Sequence, residues 1–157
     1  MSSALPQKLS IHLPSKELIP IDRVRSRLAL LWLSGAGLII LTLVVQSLRL
    51  VYGPAVQEVW GWILPTLMPT LGMIVTVLGY TALDPAISGT AVRKSFFTLA
   101  FWLSASYLFL ILLTIFIQPL SPGSPVDLMR MSNLWLGPFQ GLVASALGVL
   151  FVSKRQR

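Results

Sequence analysis

Residues 28–48 read LALLWLSGAGLIILTLVVQSL, 21 residues between Arg27 and Arg49 without a charged side chain. An α-helix of that length covers the ~30 Å hydrocarbon core of a bilayer. Three further charge-free runs follow: 59–80 between Glu58 and Asp84, 95–117 after Lys94, and 134–152 ahead of Lys154. Of the chain's 157 residues, 55% are hydrophobic and 11% charged, whereas a soluble domain carries about 25% charged residues. The expected fold is all-α, with four transmembrane helices. Residues 1–22 read as a tail, 23–153 as the four-helix domain and 154–157 as a basic terminus.

Basic residues orient the spans. Ten of the 12 lie in three segments: Lys8, Lys16, Arg23, Arg25 and Arg27 before span one; Arg93 and Lys94 between spans two and three; Lys154, Arg155 and Arg157 after span four. By the positive-inside rule these segments, and both termini, are expected in the cytoplasm. Arg49 and Arg130 balance Glu58 and Asp127 in the outer loops, so the formal net charge of +7 collects on the inner face. Its expected partner is anionic inner-leaflet lipid, contacted by Arg23, Arg25, Arg27, Arg93, Lys94, Lys154 and Arg155. No motif points to nucleic acid. The first apolar run starts too late for a cleavable leader. Trp60, Trp62 and Trp135 fall at outer span ends, Trp32 and Tyr80 toward inner ends, as headgroup-level anchors. Trp102 lies deeper and is expected to pack between helices.

The inventory of reactive side chains argues against catalysis. There is no cysteine, so thiolate metal sites and thiol nucleophiles are excluded. The one histidine, His12, lies in the N-terminal tail, leaving no Ser-His-Asp triad within the spans. All five carboxylates lie outside the apolar runs, so no paired acid–base or di-metal site can be drawn within them. Gly35-Ala36-Gly37 is a mid-span triplet and no phosphate loop. No metal, cofactor or enzymatic activity is expected.

The connections have local signals of their own. Asp22 and Thr90 are expected to cap spans one and three. Lys8–Leu13 alternates polar and apolar residues and could add to a sheet edge, with a membrane-skimming tail the simpler reading. Ser124-Pro125-Val126-Asp127 places a cap, a first-turn proline and an acid in order, which predicts a short interfacial helix to Met131.

Two spans carry the remaining chemistry. Span two includes Gly61, Pro65, Thr66, Pro69, Thr70 and Gly72; its two prolines free the carbonyls of Gly61 and Pro65, which then need donors from elsewhere. Span four includes Gly137, Pro138, Gln140, Gly141 and Ser145, a GxxxG ridge with a polar amide beside it. These residues read either as a helix-packing surface or, with Gln46, as a polar notch or pore lining. The absence of any Asp, Glu, His, Lys or Arg within the spans speaks against a proton-coupled pathway.

The phrases LPTLMPTLG (64–72) and SNLWLGPFQGLVA (132–144) resemble small bacterial four-span proteins, which implies a bacterial inner membrane and assigns no residue roles. The expected function is non-enzymatic: helix-mediated assembly, as an accessory subunit of a membrane complex or as a homo-oligomer. The alternative is an oligomeric channel or membrane-permeabilising effector lined by the proline-broken halves of spans two and four.

The cysteine-free chain permits a direct topology test. Single substitutions Ser3→Cys and Ser153→Cys should be shielded from a membrane-impermeant thiol reagent in intact cells, and Ser124→Cys should be labelled. Labelling of either terminal position would reverse the orientation.

Overall fold

The computed structural model describes residues 18–83, 91–118 and 124–152. Strand β1 (Leu18–Pro20) leads into α1 (Ile21–Leu48), and a single 3-10 turn (Gly53–Ala55) leads into α2 (Val56–Leu83). Strand β2 (Ala91–Arg93) leads into α3 (Lys94–Ile117), and α4 (Pro125–Val152) closes the described chain. Each of the four α-helices is long and apolar enough to cross a membrane.

The helices outrun the charge-free segments. Helix α1 starts seven residues before Leu28 and so carries Asp22, Arg23, Arg25 and Arg27 within it. Its N-cap is Pro20, with no side-chain cap; Asp22 sits in the first turn instead, where a carboxylate still complements the helix dipole. Arg93, not Thr90, occupies the N-cap of α3, and Thr90 and Lys8–Leu13 lie outside the described residues. Ser124 performs its expected role, its Oγ accepting from the Asp127 amide at 3.3 Å. The helix it starts does not stop at Met131. It runs on to Val152 as one element, because Met131-Ser132-Asn133 contains no helix breaker and Ser132 Oγ finds a local acceptor in Met129 O at 2.7 Å.

Around the bundle the order is α1, α3, α4, α2, with α2 and α3 at opposite corners. The ladder pairs Leu18 with Arg93 and Pro20 with Ala91, antiparallel. It brings the starts of α1 and α3 to one end, so these helices run parallel. Both strands were illegible in the sequence, each being three residues long. At the far end α1 closes on Val51 N–H to Gln46 O and Leu50 N–H to Ser47 O, a Schellman arrangement. Leu50 takes the left-handed position, at φ 56°, that glycine ordinarily fills.

Packing follows one inward stripe per helix. Leu28, Trp32, Ile39 and Leu43 of α1 are buried with Ile63, Leu67 and Ile74 of α2, Tyr107, Ile111 and Ile115 of α3, and Leu136, Val143 and Leu147 of α4. Trp32 is therefore a core residue and no headgroup anchor, at 0% exposure. Trp102 departs in the other direction: it is 65% exposed and packs between no helices. The tight backbone approach lies between α1 and α3, where a Cβ on Gly35 would fall 2.8 Å from Leu108 Cδ1. Leu30, Leu41, Phe109, Leu134 and Leu142 point outward, leaving an apolar perimeter around the bundle.

Arg25 ties the ladder end together. Its Nε donates to Leu150 O and its Nη2 to Phe151 O, both at 3.1 Å. A helix leaves its last four carbonyls without intrahelical donors, and a cation there also meets the negative end of the dipole. Arg25 thus departs from its expected lipid-facing role: it is buried and caps α4. Arg25→Met should lower stability by about 2 kcal/mol, the cost of orphaning charge-assisted acceptors, whereas exposed Arg23→Met should change it by less than ~0.5 kcal/mol. Reversible unfolding in mixed micelles measures both.

Candidate functional site

The carbonyl of Thr66 is the polar centre of the bundle. It lies in the turn ahead of Pro69, next to the carbonyl of Pro65, which is the one that Pro69 leaves without a helical donor. Gln140 Nε2 of α4 donates to Thr66 O at 3.2 Å, and Tyr107 OH of α3 donates to the same oxygen at 3.4 Å. The Thr66 hydroxyl turns back along its own helix to Trp62 O at 2.7 Å. Helix α2 stays continuous through both prolines. The side-chain donors land on Thr66, one residue beyond the carbonyl of Pro65 expected to receive them.

Tyr107 joins three helices to that oxygen. Its ring packs on Trp32 of α1 at a centroid distance of 6.0 Å and on Phe139 of α4 at 5.9 Å. Sequence reading passed over it. The available signal was the spacing of Ser104, Tyr107, Ile111 and Thr114, which puts three polar side chains of the apolar part of α3 on one face with an isoleucine. All four are buried. Among the described residues Trp32 Nε1 and Ser104 Oγ find no hydrogen-bond partner.

A second set of polar contacts ties the far end. Trp62 Nε1 donates to Asn133 Oδ1 at 3.0 Å, and Trp60 Nε1 to Ser47 Oγ at 3.2 Å. Arg130 pairs with Glu58 at 3.2 Å, both exposed. Gln46 lines no notch; its Oε1 accepts from Tyr52 OH in the connection after α1. Burial pushes the Tyr52 phenol up to about 12, so it remains a donor at neutral pH.

The residues expected to act as one group divide between two surfaces. Thr66 and Thr70 are buried and Gln140 is half-buried, all toward the interior. Gly61, Pro65, Pro69 and Gly72 are exposed along the outside of α2, and Gly137, Pro138, Gly141 and Ser145 along the outside of α4. A single chain therefore forms no notch from all of them. Helices α2 and α4 run parallel with partners 71 to 74 residues apart, which sets Pro65 level with Gly137 and Pro69 level with Gly141. At the far end Gly61 faces Arg130 and Asn133 across a cleft of about 270 Å³. From there two ridges of small residues descend side by side. A Cβ added at Gly61, Gly72, Gly137 or Gly141 would meet nothing within 4 Å.

Of the expected lipid-contact residues, Arg23, Arg27, Arg93 and Lys94 are exposed at the ladder end; Lys154 and Arg155 lie outside the described residues. Among the described residues no group of three or more His, Asp or Glu could hold a metal. Comparison of the chain with protein-family models, curated proteins and solved structures finds no match.

Two donors on one carbonyl make a specific energetic prediction. Gln140→Leu and Tyr107→Phe should each cost about 0.6 kcal/mol, the average for hydrogen bonds between membrane helices. The double variant should cost more than the sum, because only then does Thr66 O lose both side-chain donors. Strict additivity in a double-mutant cycle would separate the two contacts.

Proposed function

We propose that the protein is a non-enzymatic, multi-pass protein of the bacterial inner membrane, with both termini cytoplasmic, that works by helix-mediated assembly. The assembling surface is the paired ridge of α2 and α4. Its partners are further copies of the chain or other membrane subunits, with anionic inner-leaflet lipid around the basic end.

One observation carries this reading: the small residues face outward. Small residues at four-residue spacing matter in a membrane because they let backbones approach closely, where dispersion and weak polar contacts replace the absent hydrophobic drive. Here neither ridge is consumed by internal packing. Gly61, Gly72, Gly137 and Gly141 leave open space beside them, and the prolines between them carry no amide N–H that would need an acceptor.

The same partition sets assembly ahead of the channel alternative. A pore lining would need its polar groups on the surface that the prolines present. Thr66 and Gln140 instead point into the bundle, where they contact Trp62 O and Thr66 O. The basic end supports the cytoplasmic placement of the termini through the positive-inside rule.

Because a side chain at these glycines has room in the single chain, substitution separates assembly from folding. Gly72→Leu combined with Gly141→Leu should abolish the assembled species seen by native mass measurement in nanodiscs, with helix content unchanged and monomer stability equal or higher. An assembly that survives both substitutions would refute the proposal.

A further inference from the structure

The ladder end contains an open groove between α1 and α3 of about 480 Å³, lined by Arg27, Leu30, Leu31, Ser34, Phe97 and Phe101. Its size falls within the ~300–1,000 Å³ of ordinary ligand clefts. Two other clefts lack its combination of chemistry. The one between α3 and α4, lined by Leu110, Leu113, Thr114, Ile117, Leu128 and Trp135, has no charged wall. The far-end cleft beside Gly61 has Glu58 and Arg130, which already pair with each other.

Arg27 is the last charged residue before the charge-free run of α1, as Lys94 is for α3. Because the two helices start together, Lys94, the first residue of α3, lies about 9 Å nearer the ladder than Arg27, six residues into α1. Helical spacing puts Lys94, Phe97 and Phe101 on one face of α3, and Arg27, Leu30, Leu31 and Ser34 on one face of α1. Among the described residues Arg27 has neither an ion-pair nor a hydrogen-bond partner. Asp22, the one described acid at this end, acts on Arg25. The groove thus offers a guanidinium without a partner among the described residues at its mouth, and two phenylalanines and two leucines within. The Ser34 hydroxyl is turned to Leu30 O and Leu31 O and adds no free donor.

We propose that this groove binds one anionic glycerophospholipid, its phosphate held by Arg27 and one acyl chain lying along Leu30, Leu31, Phe97 and Phe101. Guanidinium is the cation suited to phosphate, since its fork donates two parallel hydrogen bonds. Basic pockets between helices at the cytoplasmic face take anionic headgroups for this reason. The site is local and stoichiometric, distinct from the diffuse attraction of the whole basic end to a charged leaflet.

The test is a native mass spectrometry titration of the full chain, delipidated in detergent, with phosphatidylglycerol, with phosphatidylcholine of the same acyl chains, and with glycerol 3-phosphate. Phosphatidylglycerol should saturate at one molecule per chain and bind at least about fivefold more tightly than phosphatidylcholine, the ratio that one basic contact supplies. Arg27→Gln should weaken it about fivefold. Ser34→Trp, which fills the groove without removing charge, should weaken it too, and Arg49→Gln at the far end should not. Equal binding of the two lipids, an unchanged Arg27→Gln, or equal weakening by Arg49→Gln would overturn the proposal. Glycerol 3-phosphate binding as tightly as the lipid would overturn the acyl-chain half of it.

Discussion

A backbone carbonyl that loses its helical donor in an apolar surrounding must find another donor inside the protein. One such requirement and one further polar tie organise this bundle. Thr66 O of α2, whose helical donor is the amide of Thr70, also draws Gln140 from α4 and Tyr107 from α3. The end of α4 leaves carbonyls at Leu150 and Phe151, and Arg25 reaches them from α1. Each contact joins elements far apart in sequence. Together they set which helices are neighbours and at what height.

The remaining packing follows from those two ties. With α4 held to α1 at the ladder end and to α2 at mid-height, Tyr107 fills the centre between Trp32 and Phe139. The inward stripes are bulky, so the helices meet through Leu, Ile and aromatic side chains, and glycine contributes an internal close approach at Gly35. The other small residues of α2 and α4 are displaced to the perimeter. That displacement turns a pattern ordinarily read as packing into a surface for packing against something else.

Charge follows the same economy of position. Of three arginines within five residues of α1, Arg25 is buried as a cap while Arg23 and Arg27 are exposed. Residues two apart on a helix point some 200° from each other, so their roles diverge although their sequence context is shared. The groove beside Arg27 lies between α1 and α3, which start together at the β1–β2 ladder, and two phenylalanines of α3 line it.

Length and hydrophobicity of the four runs were legible from the chain alone, since a charge-free stretch of about 20 residues reads the same in any neighbourhood. The Ser124-Pro125-Asp127 start of α4 was legible too, because a cap is local chemistry. Helix ends were less so: the basic stretch 23–27 reads as a fence, yet its arginines have high helix propensity and continue α1. What only the tertiary structure decided is direction. Nothing local says that Trp32 turns in and Trp102 out, that Gln140 meets Thr66, or that Gly137 and Gly141 face away. In spans apolar on every side the hydrophobic pattern carries no inward signal, and the inside is defined by which polar groups find each other across helices.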